Sequence, residues 1–263
     1  MSRRQLRWLL IGNSRWHWAE VDLETRGIPG EPRLRFWHAS PEQEPVATPI
    51  AWASVGPLPA SAGLPVERRL QLADVPLAGA PAWLGVDRAL AGWWAARQLG
   101  RPVLVADAGT VLSLTRVDGR GRFAGGRLMA GAALQLAAMG AGTEALPVLA
   151  GGLAAGEQGE DWPQATADAM RSGVVQGLAA AVLEASRQVR ALEPGCRIVL
   201  TGGDGAALLP WLRSSAELEA EILCHRPDLC LEALVALRPG PFGGFRPDPG
   251  PRGSDRPWPP PSP

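Results

Sequence analysis

The stretch LLIGNSRWHWAEVD, residues 9–22, comes back as VADAGTVLSLTRVD, residues 105–118. In both copies an apolar strand runs into a glycine turn, a second apolar strand leaves it, and an acid closes the next turn. Repetition of one such unit at a separation of about 97 residues predicts two related domains. Gly109 falls on Gly12 and Thr110 on Asn13, whereas Asp107 falls opposite Leu10, so the first copy lacks the acid.

Working outward from the first copy, apolar patterning and turn residues give strands at Leu6 to Ile11 and Trp16 to Leu23 around the turn Gly12 to Arg15. A Gly/Pro-rich loop at 27–32 precedes strands at Leu34 to His38 and Pro49 to Val55, and residues 58–82 read as loop. A helix opens at Gly85 to Arg88 and stops at Gly100, with Pro102 just beyond it. Around the second copy, strands at 102–106, 111–117 and 123–129 form a three-stranded meander. Helices follow at 132–139 and Thr166 to Leu192, then a strand at Arg197 to Leu200 enters Thr201-Gly202-Gly203-Asp204-Gly205, and helices close the pattern at 206–213 and 231–237. Domains are therefore expected at 1–100 and 101–238, with a disordered Pro/Gly-rich tail at 239–263.

Composition narrows the chemistry. The 26 basic and 26 acidic residues cancel, all of the basic ones are arginine, and no basic stripe follows the 11 tryptophans, so nucleic acid is not expected as a partner. Without lysine there is no Walker A loop, no Schiff-base amine and no strand lysine of the protein-kinase kind. No apolar run of about 18 residues and no leader pattern is present, which predicts a soluble, cytoplasmic chain with no membrane partner. Cys196, Cys224 and Cys230 lack the spacing of a zinc site or a disulfide framework and read as ordinary thiols.

Two constellations carry chemistry. The turn Asp107-Ala108-Gly109-Thr110 places a glycine for close backbone approach to a phosphate, a hydroxyl beside it and a carboxylate able to hold a cation. Gly85-Val86-Asp87-Arg88 places a base beside a fixed cation at a helix start, suited to a substrate with a hydroxyl to deprotonate and a polar group to orient. The same Asp and Arg also fit a first helical turn that merely pairs its own charges. His17 and His38 read as packed histidines, and Gly173 to Ala185 as a tightly packed helix of the kind that suits a subunit contact.

Taken together these residues resemble the type III pantothenate kinases of the acetate and sugar kinase/Hsp70/actin superfamily. Supporting pieces are the G-N-S turn at 12–14, G-V-D-R at 85–88, D-A-G-T at 107–110, F-A-G-G at 123–126, T-E-A-L-P at 143–147, A-T-A-D-A-M-R-S-G at 165–173 and T-G-G at 201–203. The resemblance implies an α/β chain of two ribonuclease-H-like domains flanking a nucleotide cleft. It implies phosphorylation of pantothenate by ATP with Mg2+ and a monovalent cation, K+ or NH4+, and a homodimer sharing its active site. It assigns Gly85, Val86, Asp87, Arg88 and Thr166 to pantothenate, with Asp87 as catalytic base and Thr166 reaching across the dimer. Gly12, Asn13, Ser14, Arg15, Gly109 and Thr110 fall to ATP, and Asp107 to the metal.

Three departures stand out. The family's first motif, D-x-G-N-T, has its acid where this chain has Leu10, and its threonine where this chain has Ser14. Ala130 replaces the proline of a G-G-x-I-x-P-G pattern, and the family's tyrosine near pantothenate has no counterpart in a chain without tyrosine. The leucine leaves open a weak kinase, a different entry of ATP, or a non-catalytic relative that binds pantothenate or nucleotide and regulates.

Overall fold

The structure, a computed structural model, describes residues 6–22, 33–40, 48–56, 58, 62–153, 161–216, 218–219 and 221–240. The loop expected at 27–32 and the tail beyond 240 lie outside them. The chain divides into two compact units: the described residues within Met1–Gly100 and Asp228–Pro263, and those within Arg101–Pro227.

In the first unit β1 (Arg7–Ile11), β2 (Trp16–Asp22) and β3 (Arg33–Ala39) form an antiparallel meander, and β4 (Ala51–Ser54) adds parallel to β1, giving the order β3-β2-β1-β4. β1 is apolar and buried from Trp8 to Ile11 because it lies inside the sheet and is covered on both faces. Leu9, Ile11, Trp16, Trp18, Trp52 and Ala62 make a core cluster, with Trp37 stacked on Trp18 at 5.9 Å. Short 3-10 turns at Val66–Arg68 and Leu72–Asp74 interrupt the expected loop. Helix α1 (Val86–Leu99) ends at Gly100, whose left-handed φ of 58° lets its N–H return to the Ala96 carbonyl.

The second unit repeats the plan. β5 (Val103–Ala108), β6 (Val111–Val117) and β7 (Phe123–Ala130) form the meander, β8 (Arg197–Thr201) runs parallel to β5, and β9 (Leu223–His225) adds at the edge. The order is β7-β6-β5-β8-β9. Helices α2 (Ala132–Gly142), α3 (Thr166–Leu192) and α4 (Gly205–Ser214) complete it. Along α3, Met170, Val174, Leu178, Val182 and Ala185 recur every three or four residues and are buried, which is why this sequence holds a long helix on an apolar sheet.

Pairing registers refine the repeat. Ile11 pairs with Trp16 and Ala108 with Leu112, so the first hairpin carries one residue more in its turn. One element departs from the sequence expectation of a second domain running to 238. Helix α5 (Leu229–Leu237) packs on α1, β1, β2 and β4 of the first unit, burying Leu229, Leu231, Leu234 and Val235. Its neighbours in space are about 130 or more residues away in sequence, a relation that local patterning does not encode.

Candidate functional site

The first turn is tight because its backbone is pressed from two sides. Gly12 N–H donates to the Arg15 carbonyl at 3.0 Å, and a Cβ on Gly12 would lie 3.1 Å from both that oxygen and His17 Nε2. At the end of β4, Gly56 packs so closely that a Cβ there would overlap the Gly12 carbonyl oxygen. Asn13, Ser14 and Arg15 are exposed at the tip, whereas Leu10 is 6% exposed.

Gly85 and the start of α1 meet the same strand end. Val55, beside Gly56, has its Cγ1 3.8 Å from where a Gly85 Cβ would stand. The structure thus gathers Gly12–Asn13 and Gly85–Asp87 around the Val55–Gly56 corner. Asp87 Oδ1 accepts the Arg88 backbone N–H at 2.7 Å and folds back over Gly85, where a Cβ would come within 2.5 Å of it. Burial raises the Asp87 pKa above its ordinary value, opposed by the hydrogen bond from Arg88 and the Arg88 charge. Arg88 is itself buried, and burial lowers its pKa against the pull of Asp87. Val86 is also buried.

In the second unit the corresponding corner is built from Gly202. Its φ of +88° suits glycine, and a Cβ would lie 2.5 Å from both the Ala108 carbonyl oxygen and Asp107 Oδ1. Asp204 N–H donates to the Ala108 carbonyl at 2.9 Å. On the other side Gly131 N–H donates to the Thr110 carbonyl at 3.0 Å, and a Cβ on Gly131 would overlap the Gly109 oxygen. Asp107, Gly109 and Thr110 are therefore held together on one turn and remain partly exposed. Ala130, where the family pattern has proline, is paired with Val111 and accepts from Gln135 Nε2 through its carbonyl. Thr166 opens α3 and is exposed, on a different unit from Gly85 to Arg88.

Oxygen donors dominate this turn, and among the described residues no three His, Cys, Asp or Glu side chains converge as a metal cage. Asp107 with the Thr110 hydroxyl suits a hard cation that keeps most of its water and shares phosphate oxygens. Gly56 was not singled out in the sequence, although the Gly56-Pro57 stop marks it, and Gly202 was legible as part of a third glycine-rich turn. His17 and His38 pass for packing residues until their ring contact is seen.

Two units of one plan, each with a glycine-pinned turn at the end of an inner strand, define a duplicated α/β protein. The sequence pattern described as type III pantothenate kinase matches residues 68–188. Proteins named type III pantothenate kinase are similar over most of the chain. That of Synechococcus elongatus is 35% identical over 250 residues, covering 86% of this chain and 96% of its own. That of Thermosynechococcus vestitus is 36% identical, covering 88% and 89%, and that of Gloeobacter violaceus 36%, covering 77% and 87%. The chain belongs to the type III pantothenate kinase family.

Proposed function

We propose that the protein transfers the γ-phosphoryl group of ATP to the primary hydroxyl of pantothenate, releasing ADP and 4′-phosphopantothenate, at the entry to coenzyme A synthesis. Family membership supports the reaction and its use of ATP with a divalent metal. The observation that carries the assignment of roles is the Asp87 carboxylate, folded over Gly85 and raised in proton affinity by burial beside a fixed guanidinium.

In this reading Asp87 accepts the hydroxyl proton while Arg88, Gly85 and Val86 orient pantothenate. Phosphoryl transfer asks the protein mainly to position reactants and to counter charge, which backbone turns can do without lysine. Gly12, Asn13, Ser14, Arg15, Gly109 and Thr110 take the nucleotide's polar groups. Asp107 holds the cation. Magnesium, and a monovalent cation such as K+ or NH4+, supply charge neutralisation when bound. A homodimer, to which Thr166 contributes across the interface, and a cytoplasmic location go with the same reading. No helix among the described residues is long and apolar enough to cross a membrane.

The test is ADP release from ATP with magnesium, potassium or ammonium ion, and pantothenate. General-base assistance is worth roughly 10²–10⁴ in rate, so Asp87→Asn is expected to keep the fold and lower turnover at least about a hundredfold. Near-normal turnover in that variant removes Asp87 from the role. Because Leu10 is buried where the family's acid stands, a second outcome has its own meaning: pantothenate binding with no ADP release by the unmutated protein assigns the chain to a non-catalytic, regulatory role.

A further inference from the structure

Cross-strand partners share a face of a sheet, so the registers define one row at the turn end of each unit. In the first unit the row reads His38, His17, Leu10, Ala53. In the second it reads Leu128, Ser113, Asp107, Thr201. The matching row of the second copy is thus built without histidine, and the two imidazoles of the first stand beside the position that lost its acid.

Their contacts form a chain. His17 Nδ1 and His38 Nδ1 are 2.8 Å apart with the rings edge-on at 68°. One of these nitrogens must donate and the other accept, so a single proton lies between them. On the far side of His38, Nε2 is 3.4 Å from Asp228 Oδ1, a buried oxygen that makes no hydrogen bond among the described residues. On the far side of His17, Nε2 lies under the turn, 3.1 Å from where a Gly12 Cβ would stand.

We propose that His17 donates from Nε2 to an anionic oxygen of the nucleotide at the first turn, and that His38, backed by Asp228, takes up the proton that makes His17 a donor. This rests on the nucleotide reading of the Gly12 turn given above. With His38 neutral and its Nε2–H directed at Asp228, its Nδ1 accepts from His17, and His17 Nε2 presents a lone pair that repels phosphate. When His38 binds one proton from solvent, its Nδ1–H donates to His17, and the His17 proton sits on Nε2, facing the anion. The proton count balances: one proton enters from solvent on binding and returns on release. His17 stays neutral in both states, in keeping with a pKa lowered to about 4 by burial, by His38 and by Arg15. Other charges that face the chain are Arg15 on the turn and Glu232 on α5, which acts on Asp228. His38 and Asp228 are positioning residues; His17 makes the contact.

The chain has three histidines, so ring ¹⁵N shifts can be followed one residue at a time. Adding magnesium with β,γ-imido ATP to the full chain is expected to move the His17 Nε2 signal from unprotonated to protonated. Calorimetric titration in two buffers of different ionisation enthalpy is expected to show uptake of up to about one proton per nucleotide, with affinity falling as pH rises. His38→Gln and Asp228→Asn, checked for melting, are expected to abolish or reduce that uptake. His17→Gln is expected to weaken nucleotide binding about tenfold while leaving pantothenate affinity unchanged. Unchanged His17 shifts, or equal proton uptake in the unmutated protein and His38→Gln, overturn the relay while leaving the nucleotide reading standing. Failure of the folded, unmutated chain to bind the nucleotide at all overturns the nucleotide reading and the relay with it.

Discussion

The two hairpin turns share a backbone and differ in what they present. Each is pressed from the neighbouring parallel strand by a glycine, Gly56 against Gly12 in one unit and Gly202 against Ala108 in the other. On the face beside the turn, Asp107 in the second unit corresponds to Leu10 in the first, and Ser113 corresponds to His17. The geometry of a turn and its charge are therefore separable. Packing of glycine on backbone carbonyls preserves the bend, while single substitutions in one row set the charge and the hydrogen-bonding groups beside it.

Breaking the shared feature should have the largest effect. Gly202→Ala forces a left-handed φ on a residue with a side chain and sets its Cβ against Ala108 and Asp107. Backbone strain of this kind costs roughly 1–2 kcal/mol before any clash. A drop of several degrees in Tm and loss of ADP release are expected, by melting and assay. Retention of both would show that the corner is not needed.

The chemical difference can be tested by erasing it. Leu10→Asp makes the first turn like the second and is expected to raise turnover several-fold, at a cost in stability of about 1–3 kcal/mol for a partly desolvated carboxylate. Denaturant midpoint and kcat measured together distinguish the two effects. An unchanged kcat would mean that magnesium is served without an acid at that position.

A smaller effect isolates the Gly85 corner. Gly85 has an extended backbone, φ −59° and ψ 139°, that alanine adopts readily, so Gly85→Ala should leave Tm nearly unchanged. Its Cβ nonetheless displaces the Asp87 carboxylate, and a fall in kcat of about tenfold is expected, since small misplacements of a reacting group are costly.

The smallest is a stability effect at Asp87. Burial raises its folded pKa, so the native state holds a proton that the unfolded chain releases, and stability falls as pH rises from the ordinary carboxylate value through the raised one. Asp87→Asn should then melt slightly higher than the unmutated protein at neutral pH, with the difference vanishing below about pH 4. An equal difference at both pH values would rule out this origin. The same shift places the loss of kcat/KM on acidification above the usual carboxylate range.

Legibility of the fold followed the range of the interactions that make it. Strand β6 and helix α3 match their sequence readings residue for residue, because alternation and a three-to-four spacing are local signals. Strand β9, only three residues long at a parallel edge, gave no alternation to read. The Asp107-Ala108-Gly109-Thr110 turn was visible as a motif, but the clamp formed by Gly131 and Gly202 joins segments far apart in the chain. The histidine row was hidden for a similar reason, since it depends on the register of three strands and on Asp228 at the start of α5.

That last helix has a consequence for synthesis on the ribosome. The polypeptide emerges from its amino end, and residues 101–227 can condense into a complete unit as soon as they are clear. The sheet made of the earliest strands must wait, with the apolar surface that α5 covers still bare, until residues 229–237 appear. The part of the protein translated first is the last able to finish folding, and nascent chains stopped before α5 should engage chaperones through their oldest segment.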